Sequence, residues 1–87
     1  MPHPADKIFT IADREFFFVR ASDVQRDGLG LELWEVQNGS DSWIAEVFRN
    51  DRKRAIEFSS NAKDIPFTAI LRLFAHFEEA VGREFQA

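Results

Sequence analysis

The sequence predicts an α+β fold, a four- or five-stranded antiparallel meander sheet with one C-terminal amphipathic helix packed on one face. Three observations carry that expectation. Runs of aromatic and β-branched residues, punctuated by turn signals, occupy the chain as far as Ser60. From Asp64 to Phe85 the apolar residues switch to helical spacing. Between two apolar runs stands Asn38-Gly39, the strongest short hairpin signal in the chain.

Lys7 to Ile11 (KIFTI) reads as a short strand, and Ala12-Asp13-Arg14 as a tight turn. Glu15 to Ala21 (EFFFVRA) is too short for a stable helix and rich in strand formers, with three consecutive Phe that place large groups on both faces. Ser22 to Gly30 reads as a loop turning at Asp27-Gly28, with Gly30 a candidate bulge. Leu29 to Val36 and Ser42 to Asn50 are the two arms of the Asn38-Gly39 hairpin. A turn over Asn50 to Lys53 leads into the last strand, Arg54 to Ser60.

A two-residue turn at Asn38-Gly39 sets Trp34 opposite Trp43 and Leu33 opposite Ile44. Pairing Arg49 with Arg54 sets Val47 against Ile56 and Ala45 against Phe58. One face then carries Trp34, Trp43, Ala45, Val47, Ile56 and Phe58, and the other Leu29, Leu31, Leu33, Ile44 and Phe48. A slip of one residue exchanges the faces.

In the C-terminal stretch, Phe67, Ile70, Leu71, Leu73, Phe74, Phe77, Val81 and Phe85 fall within an arc of roughly 160° at 100° per residue. Arg72, His76, Glu79 and Arg83 fall opposite. Asp64 is placed to cap the first turn, Pro66 suits a helix start, and Gly82 is a natural stop that Phe85 would overrun. The expected orientation buries Ile70, Phe74, Phe77 and Val81 against the sheet.

Eighty-seven residues make one domain, here residues 7–87 behind a tail at residues 1–6. The absence of cysteine removes thiolate metal sites and thiol nucleophiles. With no apolar run at the start and none of about 20 residues elsewhere, the sequence predicts a cytoplasmic chain with no membrane contact. A net charge of −4 argues against general affinity for nucleic acid. Ten Phe and two Trp in so short a chain are the unusual feature, more apolar bulk than one small core needs.

Chemistry-bearing residues are sparse. Of the two histidines, His3 lies in the tail and His76 on the polar side of the helix, so no pair forms a metal site. Glu46 and Glu57 are cross-strand neighbours in the register above, near Glu32 and Glu35, but like charges directly opposite on a sheet read first as a solvated face. The serines have no nucleophile-elbow context. Arg49, Arg52, Lys53 and Arg54 cluster at one turn, where they read as a solvated hairpin tip.

The sequence therefore predicts a non-enzymatic chain without catalytic residues, cofactor or metal. Its leading expectation is a protein-interaction module, by analogy a small bacterial accessory or immunity-type protein, that self-associates as a homodimer or binds a protein partner. The expected contact is the sheet face away from the helix, with Phe17, Trp34, Trp43 and Phe48 as interface candidates. The alternatives are a small-ligand binder or small enzyme using strand carboxylates or His76, and a weak nucleic-acid contact through the Arg49–Arg54 turn.

Overall fold

The computed structural model describes residues 7–86. Five strands, β1 (Phe9–Ile11), β2 (Arg14–Asp23), β3 (Gly28–Gln37), β4 (Ser40–Asn50) and β5 (Ala55–Ser60), are followed by the helix α1 (Phe67–Ala80). The strands form one antiparallel sheet in chain order, and α1 packs across one face, chiefly over β3 and β4. This is the α+β meander that the turn signals and the change of period predict.

Each connection is short and carries its own backbone device. Ala12 and Asp13, at φ 54° and 62°, form the two-residue link between Ile11 and Arg14. Gly39 takes φ 81° in the link between Gln37 and Ser40, and no side chain competes for that space. The segment expected to be one loop from Ser22 to Gly30 is mostly strand: β2 runs to Asp23 and β3 begins at Gly28. Gly30 pairs regularly with Ala21 and Phe48 and is no bulge. Its place is explained by packing. A Cβ on Gly28 would run into the Arg49 carbonyl and lie 2.8 Å from the Phe48 ring, and one on Gly30 would lie 2.9 Å from that ring, so the two glycines leave room for the neighbouring strand and its ring.

The irregularity sits instead between Leu33 and Trp34. Trp34 pairs with Trp43 as expected, but Leu33 pairs with Ala45, and Ile44 is the extra residue of β4. Beyond it the β4–β5 register is two residues from the expected one, Val47 facing Phe58 and Arg49 facing Ile56. A two-residue shift keeps the faces, whereas the bulge exchanges them. Leu31, Leu33, Ala45 and Val47 therefore share the helix-covered core with Phe16 and Ile44, while Trp34, Trp43 and Phe48 lie on the other face.

The helix is shorter than the apolar stripe, and it is rotated. It ends at Ala80, where the amides of Val81 and Gly82 both donate to the Phe77 carbonyl and Gly82 adopts φ 83°. Asp64 does not cap it; Asp64 sits at φ 55° and Pro66 occupies the cap position with no side-chain bond. Its buried residues are Ala69, Leu73 and Phe77, with Ile70, Ala80 and Val81 partly buried against the core. Phe74, expected at the centre, is 42% exposed. Relative to the expected orientation the buried line is turned by about 70° on a wheel of 100° per residue. Ala69 explains the turn: a small side chain lets the backbone come close to β3, and a count of large apolar residues overlooks it.

Two arginines tie the helix ends to the sheet. At its entry, Arg14 donates through Nε and Nη2 to both Glu35 carboxylate oxygens (2.8 and 2.9 Å) and through Nη1 to the Asp64 carbonyl (2.7 Å). At its exit, Arg49 donates from Nη1 to the Val81 carbonyl (2.9 Å) and from Nε to Asp51 (2.9 Å). The bond to Val81 meets a carbonyl that the last helical turn leaves without a partner. The fork of Arg14 holds the Glu35 carboxyl below its ordinary pKa.

Candidate functional site

An α-helix is about 10 Å across and neighbouring strands lie about 4.8 Å apart, so one helix covers about two strands. The sheet has five. With α1 over β3 and β4, an apolar strip remains on each side of it.

On the β2 side the strip is partly covered by the chain itself, around a cleft of about 280 Å³ lined by Phe9, Phe18, Arg72 and His76. Phe9 packs on Phe16 and Phe18, with ring centroids 5.8 and 5.0 Å apart. The Arg72 guanidinium lies 4.2 Å from the Phe9 ring centre, and the His76 ring stacks on Phe18 at 4.8 Å, 9° from parallel.

On the β5 side it stays open. Among the described residues, the large apolar side chains that are exposed are Ile56, Phe58, Phe67, Leu71, Phe74 and, alone on a loop, Val24. The first five belong together. Ile56 and Phe58 alternate onto one face of β5, Phe67, Leu71 and Phe74 fall on one flank of α1, and Phe58 meets Phe74 edge to face at 5.7 Å. Between Ile56 and Phe58 on the strand and Phe74 on the helix runs a groove of about 250 Å³ floored by Val47 and Phe77. Beside it the outer edge of β5 pairs with no other described strand.

The interface candidates of the opposite sheet face are arranged differently. Phe17 and Phe48 are buried, Phe17 beside Trp34 at 6.2 Å, and Trp34 and Trp43 are half-buried. Arg26 lies over Phe48 at 3.7 Å and donates onward to Asp23 (2.7 Å) and Glu46 (3.2 Å). No large apolar side chain of that face is among the exposed ones, so the exposed apolar surface lies not there but along β5 and α1.

The carboxylates meet only in part. Glu32 and Glu46 oppose each other on β3 and β4, but Glu32 accepts from Trp34 Nε1 (2.9 Å) and Glu46 from Arg26. Burial raises the Glu46 pKa above its ordinary value, with Arg26 opposing. Glu57 stands beside Phe48 rather than opposite Glu46 and accepts from Asn50 (3.2 Å). Glu35 and His76 lie on the helix side of the sheet, away from all three. Among the described residues no cluster of three His, Asp or Glu stands close enough to hold a metal ion. His3 lies outside the described residues.

The basic turn also separates. Arg49 is buried and committed to Asp51 and the helix terminus. Arg52, Lys53 and Arg54 are exposed, with Arg54 at φ 56° and 5.8 Å from the Phe85 ring.

No family model, no curated protein and no solved structure matches this chain. No helix among the described residues is long and apolar enough to cross a membrane.

Sequence reasoning missed the β5 flank because it counted apolar residues by sheet face. The signal that finds it is the width of one helix against five strands, with Phe67 and Leu71 on a flank of the stripe and Ile56 and Phe58 on the last strand.

Proposed function

We propose that this chain is a non-catalytic protein-interaction module whose contact surface is the apolar flank formed by β5 and α1. One observation carries the reading: five large apolar side chains lie exposed and side by side on a domain that covers its other aromatic surplus. The largest contiguous apolar patch on a monomer, typically about 300–600 Å², is often its functional surface. The carboxylates' bonds to Trp34, Arg26 and Asn50, and the place of His76 on the helix side of the sheet, away from Glu32, Glu46 and Glu57, support a binding rather than a catalytic role.

Site-specific photo-cross-linking in the source cell tests this. A photoreactive side chain at Phe67, which is 72% exposed, captures a protein, while the same group at exposed Arg20 on β2 does not. Equal capture from both positions, or none from Phe67, overturns the reading.

A further inference from the structure

We infer that the occupant of the β5 flank is a second copy of this chain, paired β5 to β5 in antiparallel register about a two-fold axis at Phe58. This rests on the reading of that flank as an interaction surface and adds the partner and the register.

The strand itself limits the choice. A two-fold axis normal to the sheet puts residue i opposite residue j of the copy with a constant sum, and opposed residues share a face. Centred on Glu57, two carboxylates would stand directly opposite each other, which is unfavourable. Centred on Phe58, Glu57 faces a Ser59 hydroxyl, Ile56 faces Ser60, and Phe58 faces its own copy. The second register places the aromatic pair on the apolar side and leaves no like charges opposed.

The edge is free to pair. β5 has no proline, lysine or bulge along Ala55–Ser60, the devices that usually blunt an exposed strand. At the far end of the groove Arg83 bonds Glu78 at 2.7 Å, which makes that rim locally neutral although each copy carries −4.

The dimensions also agree. Each α1 sits about two strand spacings from the proposed axis, so the two helices would stand about 19 Å apart across a continuous sheet. Packed helices lie 8–10 Å apart, so about one further layer of side chains is needed between them. Phe58, Phe67, Leu71 and Phe74 from each copy supply that layer. At about 200 Å² per Phe side chain, and somewhat less for Leu, their exposed fractions amount to roughly 400 Å² of apolar surface on each copy. With the strand edge added, this stays below the about 800 Å² per partner of a standard interface and fits a smaller contact that forms in the micromolar range.

The chain contains no cysteine, so disulfide trapping reads the register directly. Glu57→Cys and Ser59→Cys are prepared separately, then mixed and oxidised. Directly opposed residues lie about 4.5–5.5 Å apart at Cα, within disulfide reach, whereas the diagonal pairs that each variant makes with itself lie about 7–8 Å apart. The expected result is a cross-linked dimer from the mixture and little from either variant alone, with the parent sedimenting at twice the 10.1 kDa chain mass at micromolar concentration. Cross-linking of Glu57→Cys alone or of Ser59→Cys alone overturns the register. A 10.1 kDa species up to about 100 µM, with no cross-link in the mixture, overturns the dimer. In that event, capture of a different protein from Phe67 leaves the interaction reading standing and defeats only the second copy, while no capture defeats both.

Discussion

On one flank of α1, Arg72 lies over Phe9 and His76 over Phe18; on the other, Phe58, Phe67, Leu71 and Phe74 meet solvent. Both flanks arise from one cause, a helix two strands wide on a five-stranded sheet. They differ in what the sequence supplies next to the exposed rings. On the β2 side, positions 72 and 76 are planar polar groups one helical turn apart, and a short extra strand brings Phe9 beneath them. On the β5 side, the matching positions 67, 71 and 74 are themselves apolar. The far sheet face follows the first pattern, with Arg26 over Phe48. A chain with ten Phe thus covers much of its aromatic surplus with cationic and imidazole planes, and the uncovered flank stands out against that habit.

Substitutions at the two depths of the helix should separate most strongly. Leu73→Ala, at a fully buried site, is expected to cost about 2–5 kcal/mol, a large part of the stability of so small a domain. In the dissociated chain, at concentrations below the micromolar range, Phe74→Ala is expected to cost only about 1 kcal/mol, since nearly half of that residue meets water there. Thermal or urea melts of the pair decide it, and a Phe74 variant as damaged as the Leu73 one would restore the unrotated helix.

Arg49→Ala should also be clearly destabilising, because it removes the cation beside Asp51, which keeps the Gln86 amide, and leaves the Val81 carbonyl without its donor. A loss below about 1 kcal/mol would mean that this residue belongs with the solvated turn after all.

A smaller effect is expected at the covered flank. Arg72→Ala removes the plane above Phe9 and should cost about 0.5–1 kcal/mol while increasing binding of a hydrophobic dye there. If dye binding does not change, the cation is not what covers that ring.

On the far face, Glu46 gives a pH signature. Its folded pKa is raised by burial, so its protonation favours the folded state: that contribution is full below the unfolded value of 4.5 and is lost as pH rises through the folded pKa. Glu35 works in the opposite direction, since its lowered pKa contributes stability above 4.5 that is lost as pH falls through the folded value. Glu46→Gln should abolish the loss on the neutral side and leave the acid limb unchanged. Superposable stability–pH profiles for variant and parent would contradict it. The least effect is expected from Arg52→Ala with Lys53→Ala, a shift within about 0.5 kcal/mol, since both side chains are exposed.

The sheet order, the Asn38-Gly39 hairpin, the pairing of Trp34 with Trp43 and the C-terminal helix were legible from spacing and turn chemistry. The assignment of faces was not. It depended on the extra residue at Ile44, and nothing in the run Ser-Trp-Ile-Ala-Glu marks a bulge, since no glycine or proline stands there. Gly28 and Gly30 invited a loop because a glycine required by a neighbouring ring looks the same in sequence as one required by a turn. Arg49 reads as one of four charges at a turn until its partner, 32 residues away at the helix end, is known. The site was half legible: the surplus of aromatic bulk was visible, whereas its location depended on the width and rotation of the helix.

The central claim, that the bare flank is a contact surface closed by β5 pairing, is tested most directly by amide hydrogen exchange of Ala55–Ser60 over a range of protein concentration. Outward-facing β5 amides are expected to exchange more slowly as concentration rises through the micromolar range, while the amides of β3 stay unchanged. Fast exchange of β5 at every concentration would contradict the account.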